Sequence, residues 1–285
     1  MSKVNADLKG KPKFFCPLFN FRIVTTEEEK TGLTVIDGTR KEAPFTRIKF
    51  IENTTIGGLR KKDLAKRRLL DVEFDRHIAT AFYDKYGYLP VIEIYDVMEN
   101  NIVQFVENIV LALRLFKEGD VFCKILWSDR DSGFSVLTST YELPSTIFFS
   151  NNELKVEEIF AVNEIFQKVI KTDFSKRRHL RIALDRLNRS YGKSMLDEKI
   201  IDFMIAFEAL FLRDNTPNHG LVIGTACSLL LGKTDEERDE IYDFFVKAYA
   251  LRNKIVHGSQ IDFTGTKDTV LKLKGYLRKA ILLLI

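Results

Sequence analysis

The chain has 285 residues, of which 45% are apolar and 29% charged, with 23 Phe but only 15 Gly and 6 Pro. These values exclude a disordered or low-complexity chain and allow one large or two modest domains. The net charge of +4 permits a polyanionic partner without requiring one, so the placement of charge matters more than its sum.

From the N-terminus, Met1 to Phe15 alternates Lys with polar residues and has no apolar segment of signal-peptide type. The next stretch, to about residue 95, reads as mixed and strand-rich. Phe19–Val24, Gly32–Asp37, Thr46–Ile51 and Val91–Tyr95 are short runs of β-branched and aromatic residues between polar turns. Arg60–Arg68 is a basic cluster read as a helix start or a solvated loop. Asn100–Glu118 repeats apolar residues at helical spacing and stops before Gly119. Val121–Trp127 and Phe134–Leu137 read as two further strands. From Val156 onward the pattern is helical, with helices expected over 156–171, 176–190, 195–213, 219–231, 235–257 and 267–285.

The expected fold class is therefore α+β, a strand-rich N-terminal part followed by an all-α bundle. The division is placed at 150, with 1–150 a mixed α/β domain and 151–285 a helical one. Cys16, Cys123 and Cys227 lie far apart with no C-x-x-C pair, so neither a disulfide framework nor a zinc site is expected, and no metal or cofactor. The apolar runs Ile200–Leu212 and Leu221–Leu231 are too short to span a bilayer, and Asp202 and Glu208 interrupt the first. A cytoplasmic protein with no membrane partner is expected. The apolar pattern runs on to Ile285, which leaves open whether the last helix ends there or the chain is a fragment.

Two helix starts are marked. Thr234-Asp235-Glu236-Glu237 fits a capping box, and Ser194 with Asp197 is a weaker version. Leu231-Gly232-Lys233-Thr234 imitates the end of a P-loop, but Cys227 stands where that motif needs Gly. Gly232 is instead read as a helix stop.

The chemistry concentrates at the end of the 235–257 helix. Ile241, Phe244, Phe245, Ala248 and Ile255 define its apolar face, and Arg252 falls within that face. A guanidinium there needs a carboxylate partner or a task at an interface. His257 follows five residues later, just before Gly258, a natural left-handed stop. The spacing alone is weak, because Arg and His suit the last turn of any helix.

The wider context resembles the HEPN superfamily, in its Apea-like branch. That family ends a helix with Arg, a polar residue, three more residues and His, as in Arg252-Asn253-Lys254-Ile255-Val256-His257-Gly258 here. Ile200–Leu212, with its Ala-Phe-Glu-Ala-Leu centre, is similar to the preceding helix of the family, and Leu111–Val121 to a segment ahead of the helices. The resemblance is strongest over 195–260, extends over about 100–285, and does not reach the N-terminal ~95 residues.

It implies an endoribonuclease that needs no metal and acts as a homodimer, in phage defence or stress response. Arg252 and His257 stand ~140° apart on an ideal helix, so two chains meeting across a two-fold axis would build one site. RNA carries its own nucleophile, the 2′-OH. An imidazole such as His257 can take that proton or return one to the leaving oxygen, and Arg252 can stabilise charge on the phosphate. Asn253 would orient the phosphate or His257 by hydrogen bonds, and the product would carry a 2′,3′-cyclic phosphate. Glu208 reads either as the carboxylate that holds Arg252 or as a structural partner of any nearby base. Arg178, Arg181 and Arg189 lie opposite the apolar face of their helix, and with Lys254 they are candidate RNA contacts. A protein or nucleotide regulator is a further expected partner. The family's Tyr two residues after the His is Ser259 here, so control through that residue is not implied. The alternative is a HEPN module that dimerises or binds a ligand or partner without catalysis.

Overall fold

The computed structural model describes residues 14–18, 21–24, 48–49, 54–59, 89–95, 101–123, 125–128, 134–136, 152–259 and 265–285. Most of these are helical, in seven α-helices. The expected strand Gly32–Asp37 and the basic cluster Arg60–Arg68 lie outside the described residues. Among those described, the chain divides into two compact units, one ending at Ile170 and the other beginning at Lys171.

The first unit holds eight short strands. These are β1 (Phe14–Pro17), β2 (Phe21–Val24), β3 (Ile48–Lys49), β4 (Thr54–Leu59), β5 (Leu89–Ile94), β6 (Ile125–Ser128), β7 (Phe134–Val136) and β8 (Asn152–Lys155). Six of them join antiparallel in the order β3-β4-β5-β1-β6-β7. β2 and β8 pair in parallel, Ile23 opposite Leu154. Helix α1 (Ile102–Phe116) buries Ile102, Val106, Ile109 and Leu113, a three- and four-residue spacing that gives one apolar face. Helix α2 (Ile159–Lys171) buries Val162 and Phe166. Phe105 meets Phe166 edge-to-face at 5.5 Å, within a core that also holds Ile92, Ile94 and Leu154.

Two expectations change here. β8 and α2, assigned to the helical half by a division at 150, fall with the first unit. Cys16 and Cys123 are joined as a disulfide across 107 residues of sequence, whereas their separation had suggested that they stand apart. Chain distance is no guide to distance once β1 and the end of the α1 segment enter one core.

The second unit is a bundle of five helices, α3 (Arg178–Gly192), α4 (Leu196–Phe211), α5 (His219–Leu231), α6 (Asp235–Val256) and α7 (Thr266–Leu284). Its centre is aromatic. Phe207 of α4 meets Phe245 of α6 edge-to-face at 4.7 Å, and Phe245 meets Tyr276 of α7 at 5.6 Å, with both Phe rings fully buried. Such pairs add about 1 kcal/mol beyond the area they bury. On α3 the buried residues are Leu180, Ala183, Leu184, Leu187, Ser190 and Tyr191. Arg177 donates to the Leu284 carbonyl at 3.0 Å, satisfying one of the unpaired carbonyls at the end of α7. Helices α5 and α6 form a hairpin whose turn needs glycine, since a Cβ at Gly232 would lie 2.6 Å from Arg238 Cγ and 2.9 Å from the Ser228 carbonyl. Among the described residues, no helix is long and apolar enough to cross a membrane.

Candidate functional site

Both ends of α6 are fixed by local bonds. At its start the Thr234 hydroxyl accepts from the Glu237 amide at 3.2 Å. The Glu237 carboxylate accepts from the Lys233 amide at 2.8 Å, one residue further out than a strict capping box. At its end the Ser259 amide donates to the Lys254 carbonyl at 2.9 Å, and the Gly258 amide to that of Ile255 at 3.1 Å. Gly258 has φ +70°. This is the paired closure of a Schellman stop, and it places His257 at the C-cap. The His257 side chain is exposed and, among the described residues, makes no hydrogen bond or ion pair.

Arg252 continues the buried series Ile241, Phe245, Ala248 along α6 and is only 22% exposed. Its Nη2 lies 3.5 Å from Glu208 Oε1 of α4, and its Nη1 donates to Asn253 Oδ1 at 3.1 Å. The guanidinium carbon sits 5.7 Å from the centre of the Tyr249 ring, within cation–π range. Its Nε is buried with no hydrogen-bond partner.

Tyr249 links this pair to a second helix. Its hydroxyl lies 3.0 Å from Nδ1 of His219, and the two rings meet edge-to-face at 6.0 Å. Burial raises the Tyr249 pKa above its ordinary value. The Glu208 charge and its hydrogen bond add to this, against the opposing charge of Arg252. The phenol therefore keeps its proton as a donor at neutral pH. Gly220 makes room for the contact, since a Cβ there would meet Tyr249 ring atoms at 3.1–3.2 Å.

Among the expected site residues, the structure brings Arg252, Asn253 and Glu208 together. His257 and Lys254 lie exposed beyond them at the end of the same helix. Arg178, Arg181 and Arg189 occupy the exposed face of α3, opposite its buried leucines. Tyr249 and His219 did not emerge from the sequence. Tyr249 lies three residues before Arg252, a spacing that shares a helix face, and His219 opens α5. Equal counting from the facing ends of α5 and α6 would set His219 opposite Lys247, so its contact with Tyr249 depends on the packing register of the hairpin. Among the described residues, no group of three His, Cys, Asp or Glu side chains is placed to hold a metal.

No family model matches the chain, and no curated protein and no solved structure matches it.

Proposed function

We propose that this chain is an endoribonuclease of HEPN type, a strand-rich N-terminal part followed by a HEPN bundle. It acts as a homodimer in which Arg252 and His257 of two chains form one site. The observation that carries this reading is the contrast at the end of α6. Arg252 is half-buried and held by Glu208, while His257 stands exposed at the C-cap. A guanidinium held in place suits a phosphate whose charge is growing, and an imidazole open to solvent suits proton transfer to and from RNA oxygens. His257 takes the 2′-OH proton, the 2′-oxygen attacks the adjacent phosphorus, and the P–O5′ bond breaks as the imidazolium returns the proton to the departing 5′-oxygen. Asn253, bonded to Arg252, orients the guanidinium.

A second reading, a HEPN module that dimerises or binds a partner without catalysis, draws support from the same Arg252–Glu208 pair, because an arginine paired within its own chain also serves structure alone. Incubating the protein with single-stranded and structured RNA in excess EDTA, beside His257→Ala, separates the two. Cleavage by the unaltered chain only, leaving 2′,3′-cyclic phosphate ends, is the expected result. Equal RNA turnover by both proteins would leave the non-catalytic reading.

A further inference from the structure

We propose that His219 and Tyr249 are positioning residues for the Arg252 guanidinium, acting through the Tyr249 ring that lies against it. The inference rests on Arg252 being the group that meets the phosphate. Four side chains from three helices form one connected row. His219 comes from the first turn of α5, Tyr249 and Arg252 from adjacent turns of α6, and Glu208 from the last turn of α4.

Arg252 is held in place by its own contacts, but they leave the tilt of its guanidinium plane open. Its ion pair with Glu208 spans 3.5 Å, its bond to Asn253 is to the next residue, and its Nε has no partner. A guanidinium recognises phosphate through a planar fork, so the orientation of that plane decides its usefulness. Tyr249 constrains that plane. Its ring lies against the guanidinium, and its hydroxyl is anchored 3.0 Å from His219 Nδ1.

The bond to His219, which stands on α5, fixes the hydroxyl end of the phenol and with it the tilt of the ring that Arg252 lies against. Packing alone needs only the Tyr249 ring, and the clearance above Gly220 serves ring and hydroxyl alike. Tyr249→Phe therefore separates positioning from packing, as His219→Asn does for the imidazole, since its amide can bond the hydroxyl where Nδ1 does.

The test follows hydrogen exchange at the Arg252 Nε–H by NMR in the full chain, with RNA cleavage measured beside it. In Tyr249→Phe and His219→Ala the Nε–H should exchange about tenfold faster as the side chain loosens, while His219→Asn retains the slow exchange. Cleavage in the first two variants should fall about tenfold in kcat with KM changed less than about twofold, and His219→Asn should recover it. Unchanged exchange in both Tyr249→Phe and His219→Ala overturns the proposal, whether or not the protein cleaves RNA. Faster exchange in a protein that never cleaves RNA would instead support the positioning row and remove the nuclease reading.

Discussion

Of the four carboxylates on helix α4, Asp202 and Glu208 stand in opposite circumstances. Asp202 is 1% exposed and faces two cations, Arg186 Nη1 at 2.8 Å and Lys193 Nζ at 3.4 Å. Both cations come from α3 and the turn after it, so the cluster ties α3 to α4. Glu208 faces Arg252 at 3.5 Å, and the two side chains keep 21% and 22% of their surface. The Asp202 cluster places a buried carboxylate between two cations and works as a strut, although Asp202 Oδ2, 3.4 Å from Lys193 Nζ, makes no hydrogen bond. The Glu208 pair is half open, with an unpartnered guanidinium nitrogen and an exposed imidazole further along the same helix. Burial and the number of partners, rather than residue type, distinguish the two.

That contrast breaks if the same change has the same effect in both places. The largest effect belongs at the open end. His257→Ala and Arg252→Ala should each lower single-turnover RNA cleavage by about 1,000-fold, and the His257 change should leave the melting temperature in place. At the buried carboxylate, Asp202→Ala leaves Arg186 and Lys193 without their shared partner. It should cost about 3 kcal/mol in urea unfolding, with cleavage per folded molecule retained. Glu208→Gln sharpens the comparison. Its half-open pair should give up less than about 1 kcal/mol of stability, while cleavage falls about tenfold through the loosened Arg252. The smallest effect is expected far from both, at the start of α6. Thr234→Ala removes the hydroxyl that accepts from Glu237 and should cost about 1 kcal/mol by thermal melting, with cleavage unaffected.

Helix α6 was legible almost residue by residue. Thr234 marks its start, the apolar series through Ala248 marks its buried face, and Gly258 marks its stop. Arg252 stood out because a charge falls where the period calls for an apolar side chain. These signals are local, within one helix or one turn. The rest of the row was not legible in the same way. His219 meets Tyr249 only because α5 and α6 pack as a hairpin in a particular register, which no single window of sequence displays. Arg186, on the same helix as the exposed arginines of α3, was not singled out, because its partner Asp202 lies on the next helix. The division at 150 failed for a similar reason. β8 pairs with β2, from the far end of the first unit, and that long-range pairing carries α2 with it. The Cys16–Cys123 disulfide likewise depends on tertiary proximity rather than on spacing.

The most direct measurement mixes two damaged chains. Arg252→Ala and His257→Ala, each alone, should fail to cleave RNA in EDTA. Co-refolded to allow exchange of subunits, they should regain part of the activity of the unaltered protein, because one chain supplies the arginine and the other the imidazole. A mixture as inactive as its components, beside an active unaltered chain, would contradict a site shared across the dimer.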